Sequence, residues 1–252
     1  MSAAPHEPAL DELRRAVRAE GLRLQGVWQP SQGDGVPSQP DGRPAAAVCM
    51  VGNAGSDFWP HFKASPEYQG GQPDPLDCWS WRIGQALAAR FGGLALFPFE
   101  GPPYLPFQQW ALRCEPLQHA PLGLLIHPEF GLWQAFRFAL AWPSPVQSVD
   151  DAGRDAGAVT PRQGIAPATD ICGSCDGQPC LHTCPVRAFT GTSYRVDDCA
   201  TWLHQPSGQD CMSRGCQARR ACPVGPAWRY GDEHAAFHMA AFTRRHGPGG
   251  PR

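Results

Sequence analysis

The chain has 252 residues, of which 42% are hydrophobic, and Gly and Pro number 28 each. This length suffices for one large or two small globular domains, and so many Gly and Pro residues exclude a protein built mainly of long helices. The formal net charge is −2 and Lys63 is the one lysine among 21 basic residues, which argues against nucleic acid or an anionic membrane as a partner.

The first part of the chain alternates predicted helices and strands. Apolar residues spaced three or four positions apart predict an amphipathic helix over 9–20, which a glycine then stops. Strands are predicted over 22–28 and 45–52, and a Pro/Gly-rich surface loop over 30–44 separates them.

Further elements follow in the same alternation. A helix is predicted over 75–90 and a strand over 94–99, on either side of a Gly-Gly pair. The apolar runs 121–128 and 132–142 flank a Glu-Phe-Gly turn and predict a β-hairpin. Strands interleaved with helices predict an α+β or α/β layered domain over 1–142.

No targeting or spanning segment is evident. No stretch approaches the run of about 18 to 20 apolar residues that spans a membrane, and the first residues lack the apolar centre of a signal peptide. We therefore expect a cytoplasmic protein without a membrane partner.

The second part of the chain is organised around cysteines. Residues 143–169 carry few large apolar side chains, which predicts a linker, and DEHAAFHMAAFTRR at 232–245 predicts a terminal helix. The predicted layout is a first domain at 1–142, a linker at 143–169, a small domain at 170–230, and a C-terminal helix and tail at 231–252.

Cysteine usage points to a site rather than to disulfides. Thiols in the cytosol stay reduced, yet eight of the 11 cysteines fall within 51 residues. The first run is spaced C-x2-C-x4-C-x3-C-P and the second C-x4-C-x5-C-P. The first differs from the bacterial ferredoxin spacing, C-x2-C-x2-C-x3-C-P, by two extra residues in the middle gap.

The two runs predict two [4Fe–4S] clusters. In two-cluster ferredoxins the cysteine before proline binds the other cluster, so the runs exchange one ligand each, and a lone cysteine between them completes the set. Zinc bound by four thiolates, or disulfides, are the alternatives. The predicted ligand sets are Cys172, Cys175, Cys180 and Cys222 for one cluster, and Cys184, Cys199, Cys211 and Cys216 for the other.

Several motifs resemble known families. CGSCDGQPCLHTCPVRAF, YRVDDCATWL and GCQARRACPVG resemble the ferredoxin-like module of the epoxyqueuosine reductase family, which also has a lone cysteine at the place of Cys199. GLLIHPEFGLWQAFRFALAW at 123–142 is similar both to that family and to the cobalamin-trafficking chaperones of the cblC type. SDFWPHF and DPLDCWSWRIGQAL resemble the cblC-type chaperones more.

The resemblance implies an α+β protein in which a nitroreductase-like layered α/β domain precedes a small dicluster ferredoxin-like domain. It also implies that the first domain holds a cobalamin. Ordinary turn and core positions are the alternative interpretation of the candidate contacts. These candidate contacts are Asn53, Gly55 and Ser56 after the second predicted strand, and His127, Phe130 and Trp133 around the predicted hairpin turn.

The leading functional hypothesis is a corrinoid-linked reductase or cobalamin-processing protein, in which a low-potential donor supplies electrons through the clusters to the corrinoid. An electron carrier without cobalamin is one alternative, its first domain being a scaffold or a flavin site. An epoxyqueuosine reductase-like enzyme is another alternative. That family carries a catalytic aspartate, but an ungapped alignment places Gly101 at its position, with Glu100 next to it. Residues 170–230 carry six Arg and five Asp, a poor footprint for tRNA.

Overall fold

Helices and strands are mixed along the chain, which places the protein in the α+β class. The computed structural model describes residues 10–149, 155–158 and 169–247, and no helix of this part is both long and apolar enough to cross a membrane. The strands are β1 (Arg23–Trp28), β2 (Ala47–Ala54), β3 (Leu94–Leu96), β4 (Gln118–His119), β5 (Leu125–Ile126), β6 (Gln134–Trp142), β7 (Gln147–Val149) and β8 (Asp155–Ala158). The helices are α1 (Leu10–Ala19), α2 (Trp59–Lys63), α3 (Pro66–Gln69), α4 (Pro75–Phe91), α5 (Phe107–Cys114), α6 (Pro179–His182), α7 (Val196–Leu203), α8 (Gln209–Arg214), α9 (Gln217–Arg220) and α10 (Asp232–His246).

The described residues form two compact units. The first contains 10–116, 135–149 and 155–158, and the second contains 117–134 and 169–247. The sequence predicts a first domain that runs without interruption to residue 142. The structure instead groups 117–134 with the cysteine segment.

A four-stranded sheet with the order β1-β2-β6-β3 forms the centre of the first unit. β1 pairs with β2 in antiparallel register, and β3 pairs with β6 in the same sense. All eight residues of β2 are buried, as expected for a central strand that is covered on both faces. One core cluster of this unit contains Trp28, Val48, Met50, Leu96, Phe107, Trp110, Cys114, Ala139 and Ala141.

Most predicted elements of the first unit are present. α1, α4, β1 and β2 lie at their predicted positions to within two residues at either end, as does α10 in the second unit. The predicted strand at 94–99 is shorter, because β3 ends at Leu96 and Pro98 offers no N–H to a ladder. Helix α5 has no counterpart among the sequence predictions.

The predicted hairpin of 121–128 with 132–142 forms only at its turn, where one isolated antiparallel bridge joins His127 to Gly131. β5 pairs with β4 through the partners Gln118 and Ile126, whereas β6 pairs with β3 and neighbours β2 in the sheet. The last five residues of β6 are all buried, which suits a central strand and not one half of an isolated hairpin. Each half of the predicted hairpin therefore belongs to a different unit.

The predicted linker at 143–169 lies partly outside the described residues. Within it, β7 and β8 pair in antiparallel register, with Gln147 opposite Ala158 and Val149 opposite Asp155. This stretch therefore contains a short two-stranded ladder.

Short helices and turns make up most of the second unit. α10 packs on α7 and α8, and α6 packs on α9. The side chain of Gln118 holds the start of the cysteine segment, since its amide nitrogen donates to the Thr169 carbonyl at 2.6 Å and its oxygen accepts the Ile171 N–H at 2.9 Å. The core of this unit contains Ala120, Leu122, Ile126, Leu132, Cys184, Ala188, Ala218 and Cys222.

Candidate functional site

The eight clustered cysteines all lie in the second unit, on short helices or beside them. Cys180, Cys199 and Cys211 lie within α6, α7 and α8, and Cys216 is the residue before α9. Pro179 favours the start of α6, and Gly215, with φ 82°, ends α8, so that the chain changes direction before α9. Such changes of direction bring cysteines from distant positions together.

Four thiols interact with one another and are called the first cysteine group: Cys172, Cys175, Cys180 and Cys222. Burial, followed by the charges of the other three members and of Asp170, raises the pKa of Cys172 to about 11. Burial also raises the pKa of Cys180, with added contributions from Cys222 and Cys175. The thiol that precedes Pro223 therefore lies beside three thiols of the first run.

A small cavity with mostly apolar walls is lined by all four thiols of the first cysteine group. Ile126, Ile171 and Val224 contribute to these walls. The Gln178 amide nitrogen donates to the Cys172 carbonyl at 3.0 Å and fixes the loop that carries the first two thiols. The four sulfurs thus surround one partly desolvated space.

The second cysteine group comprises the other four thiols: Cys184, Cys199, Cys211 and Cys216. Burial, together with the charges of Cys211 and Cys199 and against two backbone hydrogen bonds that lower it, raises the pKa of Cys216 to about 11. Burial likewise raises the pKa of Cys199, with contributions from Cys184 and Cys211. Here the thiol that precedes Pro185 joins two thiols of the second run and the lone cysteine between the runs.

Hydrogen-bond donors approach the sulfurs of the second cysteine group. The Tyr194 hydroxyl donates to the Cys199 sulfur, which partly offsets the effect of burial on the Cys199 pKa. The Ala188 N–H donates to the Cys184 sulfur at 3.4 Å, and the Gln217 N–H lowers the pKa of Cys211 against the effect of burial. Such donors stabilise the thiolate form, which is the form that binds metals.

Each cysteine run contributes thiols to both groups, and the assignment of these groups as cluster ligands stays a prediction. Across the residues that the structure describes, no three His, Cys, Asp or Glu side chains are arranged to hold a single metal ion. All eight thiols are free cysteines.

The turn at 127–131 lies against the backbone that follows the second Cys-Pro pair. Gly131 has φ 59°, and a Cβ at this position would lie 2.1 Å from the Val224 carbonyl oxygen. Gly225 has φ 63°, and a Cβ there would lie 2.5 Å from the Phe130 carbonyl carbon. Only glycine permits so close an approach in this conformation. This contact is a physical reason why 117–134 belongs with the cysteine segment.

His127 and Phe130, two of the predicted cofactor contacts, are in contact with each other. Their rings stack with centroids 4.3 Å apart, and each residue is 6% exposed. The His127 Nδ1 atom accepts the backbone N–H groups of Glu129 at 3.0 Å and Phe130 at 3.1 Å. The His127 ring is therefore buried and braces the turn.

Trp133 forms an aromatic wall in the second unit together with Tyr230. Their ring centroids are 5.4 Å apart. The Arg219 guanidinium lies over both rings, 4.6 Å from the Trp133 centroid and 4.4 Å from the Tyr230 centroid, and donates to the Leu132 carbonyl. Cation–π contacts and this hydrogen bond hold the wall in place.

The other predicted cofactor contacts lie in the first unit. Asn53 is the seventh residue of β2 and fully buried, so it lies within the strand and not after it. Its amide nitrogen donates to the Gly55 carbonyl at 3.1 Å, and its oxygen accepts from Arg137 Nε at 3.0 Å. The Asn53 side chain thereby stabilises the end of the strand. Ser56 is half-buried and Gly55 adopts φ 60°.

Sequence reasoning missed three residues of the second unit that hold this arrangement together. Tyr194 donates to a thiol, Arg219 fixes the aromatic wall, and Gln118 anchors the start of the cysteine segment. Tyr194 precedes Cys199 by five positions in YRVDDC, which is a weak signal. Arg219 and Gln118 act across more than 50 positions of sequence, so no local pattern could have identified their partners.

No protein-family model and no curated protein matches the chain. Among solved structures, the chain is similar to CblC, a B12-trafficking protein of C. elegans and a homologue of human MMACHC, with 12% identity over 93% of this chain and 96% of that one and a TM-score of 0.49. It is also similar to an epoxyqueuosine reductase crystallised with an epoxyqueuosine-modified tRNA-Tyr stem loop, with 15% identity over 88% of this chain and 66% of that one and a TM-score of 0.46. A selenomethionine-labelled epoxyqueuosine reductase gives 14% identity over 90% and 68% and a TM-score of 0.47.

Proposed function

We propose that the protein is an iron–sulfur redox protein that holds two [4Fe–4S] clusters, one on each cysteine group. The observation that carries the proposal is the sorting of eight thiols into two interacting groups of four, with each run contributing to both. That is the ligand exchange of two-cluster ferredoxins.

The donor set fits this cofactor. A [4Fe–4S] cluster takes four thiolates, and each group offers four sulfurs that are half-buried or buried. Burial and the neighbouring thiols together raise the pKa of Cys172 and of Cys216 to about 11, so both are neutral thiols at pH 7 until iron displaces their protons. The proposal also assigns the protein to the reducing cytoplasm, where such thiols remain available.

Two short helices, α6 and α9, would hold the two clusters close to each other. Bound clusters supply one-electron transfer. Cys180 and Cys184 lie in and just after α6, and Cys216 and Cys222 flank α9, so two helices that pack on each other carry ligands of both groups. The apolar walls beside the first cysteine group limit the access of water to it. These features suit transfer between two neighbouring centres.

Metal analysis tests the cluster assignment. We expect anaerobically reconstituted protein to hold about eight irons and eight acid-labile sulfides per chain, and the dithionite-reduced form to give EPR signals of two interacting clusters. Zinc without labile sulfide would overturn the assignment and establish the alternative of zinc bound by four thiolates.

A corrinoid as electron acceptor is the second part of the proposal. Its support is the sequence resemblance of 56–62, 74–87 and 123–142 to cobalamin-handling families. The proposal includes a low-potential partner that supplies the electrons. The buried stack of His127 on Phe130 would then serve as a preformed wall for the macrocycle.

Titration with cob(II)alamin separates this second part from the carrier alternative. We expect micromolar cob(II)alamin to change the absorbance and EPR spectra on binding, and His127→Ala to weaken binding, with exposed His119→Ala as the matched control. Absence of a spectral change, with both clusters in place, would establish an electron carrier without cobalamin.

A further inference from the structure

A patch of aromatic side chains lies at the surface of the second unit, beside the second cysteine group. We call it the aromatic patch; its members are Phe189, Tyr194 and Phe242. The rings of Phe189 and Tyr194 stack with centroids 4.6 Å apart, and those of Tyr194 and Phe242 with centroids 6.3 Å apart. Tyr194 is 36% exposed, and the other two are half-buried. Apolar side chains that share a contiguous exposed surface mark interaction sites.

Tyr194 connects this surface to a thiol of the second cysteine group. Its hydroxyl donates a hydrogen bond to the Cys199 sulfur, while its ring faces solvent as part of the patch. A molecule seated on the patch is therefore separated from that sulfur by one side chain and one hydrogen bond. An electron that crosses the Tyr194 ring reaches the cysteine without passing through water.

The patch is formed before any partner arrives. An antiparallel bridge joins Phe189 to Tyr194, and the Thr190 N–H donates to the Ser193 carbonyl at 3.1 Å and closes the turn between them. Because the rings are already held in place, little conformational entropy is lost when a partner docks on them.

The segments that carry the patch have an excess of positive charge. Residues 186–198 and 242–246 contain four arginines and two aspartates, in a chain whose net charge is −2. Arg245 and His246 are exposed and lie three and four positions after Phe242, on the same side of α10. The His246 ring contacts the Phe242 ring, with centroids 4.7 Å apart. An apolar centre with a basic rim fits an acidic protein surface.

We propose that the aromatic patch docks an acidic iron–sulfur carrier protein, which reduces the cluster of the second cysteine group by one electron. The carrier is oxidised by one electron in each encounter, and no bond forms or breaks. A protein is favoured over RNA, because Asp197 and Asp198 lie on the same segments and repel phosphates. The inference rests on the proposed function, since it supplies the donor for those clusters.

Calorimetric titration of the reconstituted full-length protein with oxidised plant-type ferredoxin, an acidic carrier, tests docking without electron transfer. We expect a dissociation constant of about 100 μM or lower at about 0.01 M salt, and binding about ten-fold weaker or more at about 1 M salt. Arg245→Glu should weaken binding about ten-fold at low salt and Phe242→Ser about five-fold, whereas Arg245→Lys should bind like wild type. The matched control is Arg15→Glu, which reverses the charge of an exposed arginine on α1 and should bind like wild type.

Reduction kinetics then test what docking achieves. Reduced ferredoxin, whose potential is about −400 mV, should reduce wild type faster than Arg245→Glu in anaerobic stopped-flow mixing. Dithionite needs no docking surface and should reduce both proteins at similar rates. Equal rates with ferredoxin in the two proteins would overturn the role of the patch in electron entry.

Binding results can also overturn the surface. Absence of ferredoxin binding at low salt, or equal weakening in Arg15→Glu, would do so. So would displacement of ferredoxin by a short single-stranded RNA, or a dimer that Phe242→Ser dissociates, since RNA or a second copy would then occupy the patch. Thermal unfolding of each variant excludes misfolding. Wild type without iron and labile sulfide would overturn the proposed function itself, whereas intact clusters without docking would overturn only this surface.

Discussion

Two cysteines that precede proline connect the two cysteine groups. Cys222 follows α9 yet interacts with thiols of the first run, and Cys184 follows α6 yet interacts with Cys199 and Cys211. This exchange of ligands between the two runs can be tested by iron content. Two substitutions in the same group should remove one cluster, whereas one substitution in each group should remove both.

We expect Cys222→Ala to reduce the iron content from about eight to about four per chain, because a cluster with three protein ligands is lost or degraded. Adding Cys172→Ala should change nothing more, whereas adding Cys199→Ala should remove nearly all iron. Iron and sulfide analysis after anaerobic reconstitution measures this, and Cys78→Ala, outside both groups, serves as the control. Complete loss with Cys222→Ala and Cys172→Ala together would contradict the assigned groups.

Tyr194 offers a second prediction at the residue scale. Its hydroxyl donates to the Cys199 sulfur, and such a donor stabilises the more negative reduced form of a cluster. Tyr194→Phe should therefore lower the reduction potential of one cluster and leave the iron content unchanged. An EPR-monitored potentiometric titration measures the shift, and Tyr104→Phe, at an exposed residue of the first unit, is the control. Equal potentials in wild type and variant would show that the hydroxyl does not act on the cluster.

Between elements, an ion pair joins α3 to α4. Arg82 donates from Nε to Glu67 Oε1 at 2.5 Å and from Nη2 to Oε2 at 3.1 Å, while the Glu67 side chain is only 10% exposed. Removing the guanidinium would leave a nearly buried carboxylate without this partner. The pair therefore contributes more than an exposed surface pair does.

We expect Arg82→Gln to lower the free energy of unfolding by about 1 to 3 kcal/mol at pH 7, because a partly buried carboxylate loses a bidentate partner. Arg90→Gln, which breaks the exposed pair with Glu12, should cost less than about 0.5 kcal/mol. Urea unfolding of both variants beside wild type measures the difference. Equal losses in the two variants would contradict the importance of burial.

The same pair predicts a pH dependence. The hydrogen bonds from Arg82 hold the pKa of Glu67 below its ordinary value, so the unfolded state binds a proton at a higher pH than the folded state. The stabilisation is fully present above the unfolded carboxyl pKa of about 4.3 and is lost as the pH falls through the folded pKa. The difference between wild type and Arg82→Gln should shrink when urea unfolding is repeated near pH 3. A constant difference from pH 7 to pH 3 would contradict this linkage.

At the scale of the whole molecule, charge and a missing acid argue against action on tRNA. The 21 basic residues are outnumbered by 23 acidic ones, for a net charge of −2, so the chain has no excess of positive charge to neutralise phosphates. Gly101 has no side chain to donate a proton, and Glu100 is an exposed neighbour. General acid catalysis contributes about 10²- to 10⁴-fold when a donor lies within hydrogen-bond reach.

We therefore expect no appreciable conversion of epoxyqueuosine to queuosine in tRNA, even with clusters and cobalamin in place. The measurement is turnover of epoxyqueuosine-containing tRNA with a chemical reductant, beside the Glu100→Gln variant. Robust queuosine formation that disappears in Glu100→Gln would identify Glu100 as the acid and establish the tRNA reductase alternative.

The sequence by itself determined the helices α1, α4 and α10 and the strands β1 and β2. The periodic spacing of apolar residues in a helix and the continuous apolar run of a buried strand such as β2 are local properties, so each is visible without knowledge of its neighbours. The Cys-Pro positions likewise predicted an exchange that the mutual interactions of the thiols support.

Only the tertiary structure decided which strands pair and which distant residues meet. The apolar runs around the Glu-Phe-Gly turn predicted a hairpin, but β6 lies in the sheet of the first unit, and the turn packs through Gly131 on Gly225 in the second. The wall of Trp133, Arg219 and Tyr230 joins residues almost a hundred positions apart. The periodicity of apolar side chains indicates which face of a segment is buried, but it does not indicate which segment covers that face. The residues that pack against it are therefore known only from the folded structure.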